Sequence, residues 1–486
     1  MANQGLLAQN KPAANTNTLL YGSAIDKSAS TMVNVANDGT ASDYSVALKN
    51  FDQKLVVDGS ANAYKLHEYD VITAYKMTVN TAFDPAAQGF SGGLQITSVD
   101  NESKFKFETV IIPDYEEIFV KTFAIRAITS ESITGTFSVG NTITKGSGSN
   151  TTTAVVYAVL TGSTTMYIGP STINGSGSEF AAGDSISNGA GASATISTGG
   201  VGTASNKFAF SSTSGGTYDL RLISANNGLS LFNDRSHRFN LSDSSNTGHV
   251  FALSTTINGQ WGSDGTTGNA DDGTEYTTGK TTNGTIGSSG AYIQYAFSSA
   301  TPAIIYWYNS VTGTAANSSF GGSEAYITTT TTPTFNEFYI YDVEGTWTNS
   351  TSTFVQNSIT YTVTAQTSGA YGYVRSYSGN NLYVIKGLNS ADFAGSDTFL
   401  DNPKLSTATR STVTVSSVAV ATTAVEADNY IIQGATNADH AVAKNTSIVV
   451  GPGEKLIINS TTQNNTFSLI GFEDASTAFT PRTFGS

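Results

Sequence analysis

The chain has 486 residues, 48 of them Gly and none Cys, with 12% charged, 38% apolar and 10% aromatic residues. This composition excludes disulfides and thiolate metal sites and argues against a disordered low-complexity chain. Thirty-seven acidic against 23 basic residues leave a net charge of −14, which disfavours a nucleic-acid partner held by phosphate neutralisation and adhesion to anionic membranes.

The abundance of Gly, Ser, Thr and Asn beside many aromatics reads as an all-β, multi-domain protein with numerous turns. Residues 1–22 begin with a polar run containing Pro12 and read as an extended arm. Met1 to Asn10 shows neither a basic n-region nor an adequate apolar h-region, and no later run approaches a membrane span. The expectation is a chain assembled inside a cell, with no membrane insertion.

Apolar, β-branched runs follow at Thr18–Tyr21, Met32–Val35 and Tyr44–Leu48, and their counterpart lies at the far end of the chain. There Ser447-Ile-Val-Val-Gly-Pro-Gly-Glu-Lys-Leu-Ile-Ile-Asn-Ser460 reads as a hairpin about Gly451-Pro452-Gly453, and Gln463-Asn-Asn465 turns the chain into a further strand, Thr466–Glu473. A hairpin needs a second sheet over its apolar face. The segments 23–55 and 426–486 are therefore expected to form one split β-sandwich, with everything between them a large β-rich insertion.

Within that insertion, residues 56–135 read as a β-rich domain, with clear alternation at Val71–Val79 and Ser103–Val110. Ile111–Ile125 is a candidate short helix after Pro113. A repeat then appears: Ala154–Gly162, Met166–Ile168 and Phe180-Ala-Ala-Gly-Asp-Ser-Ile186 are matched in order by Ala370–Gly379, Leu382–Val384 and Phe393-Ala-Gly-Ser-Asp-Thr-Phe399. These predict two small β-modules, at 136–200 and 351–425. Too far apart to stack as a solenoid, they flank a central β domain at 201–350 that holds all three tryptophans, Trp261, Trp307 and Trp347.

Gly89-Phe-Ser-Gly-Gly93 matches the G-x-S-x-G pattern, but a strand-like run follows where a nucleophile elbow needs a helix, so a turn is expected. His67, His237, His249 and His440 share no ligand spacing. The loop Trp261–Tyr276 gathers Asp264, Asn269, Asp271, Asp272 and Glu275, hard oxygen donors of the kind calcium prefers, without the EF-hand order. A solvated loop is the favoured reading, with calcium as its alternative. Tyr306-Trp307-Tyr308 with Tyr339 and Tyr341 could stack sugar rings, against the commoner reading of such clusters as core. No catalytic residues and no other cofactor are indicated.

Met1-Ala-Asn-Gln-Gly-Leu-Leu-Ala-Gln-Asn-Lys-Pro12, Val33-Asn-Val-Ala-Asn-Asp-Gly-Thr-Ala41, Val449-Val-Gly-Pro-Gly-Glu-Lys-Leu-Ile457 and Gly471-Phe-Glu-Asp474 resemble the virion structural proteins of tailed marine cyanophages, as does the run Ser368-Gly-Ala-Tyr-Gly-Tyr-Val374. The resemblance covers the two ends and the repeats and does not extend clearly to 201–350. It implies a homo-oligomeric virion component of a bacteriophage, in the tail, its fibres, the neck or the head surface, where it would act as a fibre or decoration protein. Its terminal sandwich would dock on other virion proteins and its insertion would project outward. The alternative is a receptor-binding adhesin that recognises a host surface glycan through the central domain, and a phage depolymerase is a third reading.

Overall fold

In the computed structural model the chain is nearly all β. The structure describes residues 3–59, 63–311, 325–405, 409–420, 424–476 and 481–484. Two compact units divide it: Met1–Ile111 with Thr334–Ser486, and Ile112–Pro333.

The first unit contains the sandwich made by the two chain ends. One sheet runs Asn3–Asn10, Asn465–Ala475, Lys27–Asn37, Val442–Val450, and the other runs Thr18–Gly22, Lys455–Ser460, Ser42–Lys49, Tyr430–Asn437, all antiparallel. Strands that follow one another in the chain hold the same rank in opposite sheets. The sandwich is thus four stacked β-arches, taken alternately from the N-terminal and C-terminal ends. Neither end could close it alone, because every strand of one end has its hydrogen-bonding neighbours in the other.

Two expectations are corrected here. Gly451-Pro452-Gly453 is the bend of an arch: Val442–Val450 pairs with Lys27–Asn37 in one sheet, and Lys455–Ser460 pairs with Ser42–Lys49 in the other. An arch lets Ile448 and Val450 face Leu456 and Ile458 across one core, whereas a hairpin would have placed both runs in a single layer. The expected arm is no arm either. Asn3–Asn10 pairs with Asn465–Ala475 and Thr18–Gly22 with Lys455–Ser460, and Leu20 is buried.

Val33, Val35, Val46, Phe467 and Leu469 complete this core, each such side chain contributing about 2 kcal/mol when fully buried. One end is closed by buried amides. Asn437 Nδ2 donates to the Val35 carbonyl (2.9 Å) and to Asn465 Oδ1 (3.1 Å), while Asn465 Nδ2 donates to Ser460 Oγ (3.0 Å).

Two six-stranded sheets make up the rest of the first unit. One interleaves Lys76–Phe83 and Lys104–Val110 with Phe335–Glu344 and Ile359–Thr367; the other interleaves Gln53–Val57 and Val71–Thr73 with Tyr371–Ser378, Asn381–Lys386 and Thr412–Val420. Their cores are aromatic on one side, around Phe105, Phe338 and Tyr361, and aliphatic on the other, around Leu55, Leu382 and Val413.

The second unit is built on one 20-residue strand, Tyr115–Thr134, where a helix was the sequence expectation. Burial there alternates, with Ile118, Val120 and Thr122 turned inward and Lys121 and Phe123 less buried. That period of two, with β-branched residues, fits a strand and leaves no helical stripe. The strand pairs with Ser205–Ser211 and Ser236–Asn240, then with Thr165–Ile168 and Ser193–Val201. A separate sheet, Leu229–Phe232, Tyr326–Thr330, Ile304–Asn309, Phe251–Ser254, contributes Trp307 and Phe251 to the core beside Phe239 and Tyr295.

The repeat is structural as well as sequential. In both copies a hairpin carries a bulge at the same place, between Val156 and Ala158 opposite Ile168 and Tyr167, and between Val374 and Ser376 opposite Val384 and Tyr383. The corner that follows is also the same. The Asp184 carboxylate accepts from the Ala181 N–H (2.6 Å) and Gly183 donates to Ile196; the Asp397 carboxylate accepts from the Ala394 N–H (2.9 Å) and Ser396 donates to Val415. Gly183 (φ 87°) and Ser396 (φ 74°) hold the left-handed backbone that this corner requires.

Phe137-Ser-Val-Gly-Asn141 forms a third such corner, with Asn141 Oδ1 accepting from the Ser138 N–H (2.9 Å) and Gly140 donating to Val156. The sequence signal for it was present, an aromatic residue followed by Gly-Asn-Thr-Ile, but it lay outside the two matched copies.

Candidate functional site

The outer face of the sandwich sheet that begins with Asn3–Asn10 is apolar where a solvated strand face is expected to be polar. Leu6, Ile470 and Met32 stand side by side on three adjacent strands, and one row along Phe472, Ser30 and Val449 do the same. Leu6 is 60% exposed, Val449 61%, Phe472 46% and Ile470 37%. Contiguous exposed apolar side chains of this kind mark surfaces that meet another molecule. The face draws on both chain ends and exists only once the arches have interdigitated.

A second feature of the first unit is a cleft of about 760 Å³ between the sandwich and the two six-stranded sheets. Strand ends build it: Asp52 lies just before Gln53–Val57, Lys386 closes Asn381–Lys386, and Lys455 opens Lys455–Ser460. Asp52 is 1% exposed. Its Oδ2 accepts the Lys386 backbone N–H at 2.8 Å and lies 3.5 Å from Lys455 Nζ, while Oδ1 is buried with no protein partner. The neighbouring Lys49 ammonium donates to the Asp52 carbonyl (2.9 Å), and burial, stronger than the attraction of Asp52 and Glu426, lowers its pKa to about 8.

On the opposite wall Asp342 has a left-handed backbone (φ 47°) within a bulge of Phe335–Glu344. Its carboxylate accepts from Lys106 Nζ (2.9 Å) and from the Tyr373 hydroxyl (2.6 Å). Burial first, and then Asp342, raise the Tyr373 phenol far above its ordinary range, so it stays a donor.

The structure separates the side chains proposed from sequence. Trp307 and Tyr308 are 1% and 0% exposed in the second unit, and Tyr339 and Tyr341 are 5% and 3% exposed in the first, so these four present no open ring face. The sugar-stacking assignment is corrected for them: their rings fill cores because alternation turned them inward. Tyr306 is half-buried, edge-on to Tyr326.

In the loop from Trp261 the carboxylates are engaged by the loop itself. Asp271 accepts from the Ser263 N–H (2.7 Å), Asp264 from Asn269 Nδ2 (2.9 Å), and Asp272 from the Asn269 N–H (2.9 Å), while Glu275 pairs with Lys280. Among the described residues no group of three or more His, Asp or Glu is set to hold a metal ion.

Ser91 of the G-x-S-x-G run follows the short helix Pro85–Gln88, capped by Gly89, and leads into the strand Gln95–Thr97. His237 is buried with Nε2 3.0 Å from the Phe232 carbonyl, and His67 contacts Arg482 at 2.6 Å.

Sequence reasoning missed Asp52, Lys386 and Lys455, because isolated charges at strand ends carry no spacing that sets them apart. Comparison with family models, with curated proteins and with solved structures finds no match for this chain.

Proposed function

We propose that this protein is a structural component of a tailed-phage particle, held there by the outer face of its terminal sandwich. The observation that carries the reading is the exposed apolar row Leu6, Ile470, Met32 with Phe472 and Val449, which only the joined chain ends can present. Such a face favours a permanent partner, another particle protein or further copies of the chain, since leaving it in water costs free energy. The resemblance of the same two ends to virion proteins supports the assignment to the tail, fibre, neck or head surface. An adhesin acting through Tyr306–Tyr308 has less support, because two of those three rings are enclosed.

The test is particle incorporation of a Leu6→Asp, Phe472→Asp double variant. Both residues are exposed, so the variant should keep the wild-type melting temperature while its copy number on particles falls at least tenfold. Wild-type incorporation of the variant would remove the docking assignment, and absence of the unaltered protein from purified particles would remove the virion reading.

A further inference from the structure

We propose that the cleft of the first unit binds an uncharged oligosaccharide. Its volume of about 760 Å³ lies in the range of ligand sites, roughly 300–1,000 Å³. Four acidic side chains and four lysines line it, so the wall carries no net charge, and two of the acids are committed to lysine partners within it. An ionic ligand would be favoured by an excess of one sign. A balanced wall that offers both acceptors and donors suits a molecule whose hydroxyl groups do both.

The acceptor is Asp52 Oδ1. It is buried and without a protein partner, and an unmet carboxylate oxygen is costly unless something donates to it. Lys386 and Lys455 already hold the other oxygen, which fixes the carboxylate's orientation. A sugar hydroxyl donating to Oδ1 completes it without adding charge. Ile25, Ile385 and Leu388 supply apolar surface for the C–H face of a pyranose ring.

This inference is independent of docking through the sandwich face. It is tested on the full chain by isothermal titration with maltohexaose, cellohexaose and chitohexaose, and by sedimentation with insoluble starch, cellulose and chitin. At least one hexasaccharide should bind. Asp52→Asn should weaken that binding at least tenfold: its oxygen stays on the Lys386 N–H and its NH₂ replaces the acceptor in the cleft. Leu388→Ser, at a position 73% exposed, should weaken binding without altering the melting temperature.

Binding to the insoluble polymer as well as to its fragment would identify a surface glycan as the source; binding to the fragment alone would identify a free saccharide. Absence of binding to all three probes, or affinity unchanged in both variants, overturns the proposal.

Discussion

The two repeated modules share a bulged hairpin and an aspartate-capped corner, yet they are used in opposite ways. The copy at 136–200 closes on itself: Phe137, Ile143, Val156, Ile168, Phe180 and Ile196 form one core with Ile128 of the long strand. The copy at 351–425 is opened out. Its Phe354, Tyr361 and Tyr373 join the aromatic core of the first unit, while Val374, Leu382, Phe393 and Val413 join the aliphatic one beside Leu55 and Ile72.

One strand accounts for the difference. In the first copy the Val156 N–H donates to Asn141 at a corner while the same residue pairs with Ile168 in the hairpin. In the second, Val363 donates to Ser352 and a separate residue, Val374, pairs with Val384; the chain inserted between them lets the module straddle two sheets. Local hydrogen bonding can therefore be inherited intact while tertiary placement changes.

The largest effect that would break the comparison lies at an ion pair that only the second copy has. Glu108 and Arg410 meet at 2.7 Å with side chains 4% and 10% exposed, and burial raises the Glu108 pKa despite the attraction of Arg410. Arg410→Ala should destabilise the first unit by about 4 kcal/mol, because it strands a buried carboxyl. Denaturant unfolding of the first unit measures it, and Glu108→Gln in the same chain should recover part of the loss.

Next come the equivalent corner aromatics. Phe180→Ala and Phe393→Ala should each cost about 3 kcal/mol through the cavity left, but in different places. Hydrogen exchange should show faster opening of 136–200 alone for Phe180→Ala. For Phe393→Ala the faster exchange should extend to 53–57 and 71–74, whose strands share that core.

The units that host the modules should also differ in acid. Burial holds the His237 pKa at about 4, against 6.5 when exposed, so the imidazole is neutral in the fold. The unfolded state then binds the extra proton. The associated stability is fully present above about pH 6.5 and declines as pH falls toward 4, amounting to about 2 kcal/mol lost by about pH 5. His237→Gln should flatten that slope in the melting temperature of the second unit.

The smallest effect is the sharpest comparison. Asp184→Ala and Asp397→Ala each remove one corner cap and should cost about 1 kcal/mol. The loss at Asp184 should be somewhat larger, since that carboxylate also holds Lys145 at 2.7 Å. Chemical denaturation of the two variants decides it.

Much of this architecture was legible as strands and turns. Gly451-Pro452-Gly453 announced a bend and the alternation at Val71–Val79 a strand, because those signals come from neighbouring residues. Tyr115–Thr134 was misread because Pro113 and the acidic run Glu116-Glu117 resemble a helix start, and its strand partners lie far along the chain. The aromatic candidates failed for a related reason: an alternating run shows that one face is buried and says nothing of which ring meets solvent.

The sequence by itself determined an acidic, cysteine-free, all-β chain whose ends belong together and whose interior holds a repeat. These follow from composition, period and turn chemistry, all of which act over a few residues. Only the tertiary structure decided that the ends interlock as alternating arches, that one module closes while its twin opens, and that Asp52, Lys386 and Lys455 meet at a cleft. Each of those depends on pairing between residues hundreds of positions apart, where the free energy comes from shared burial and register that no local pattern encodes.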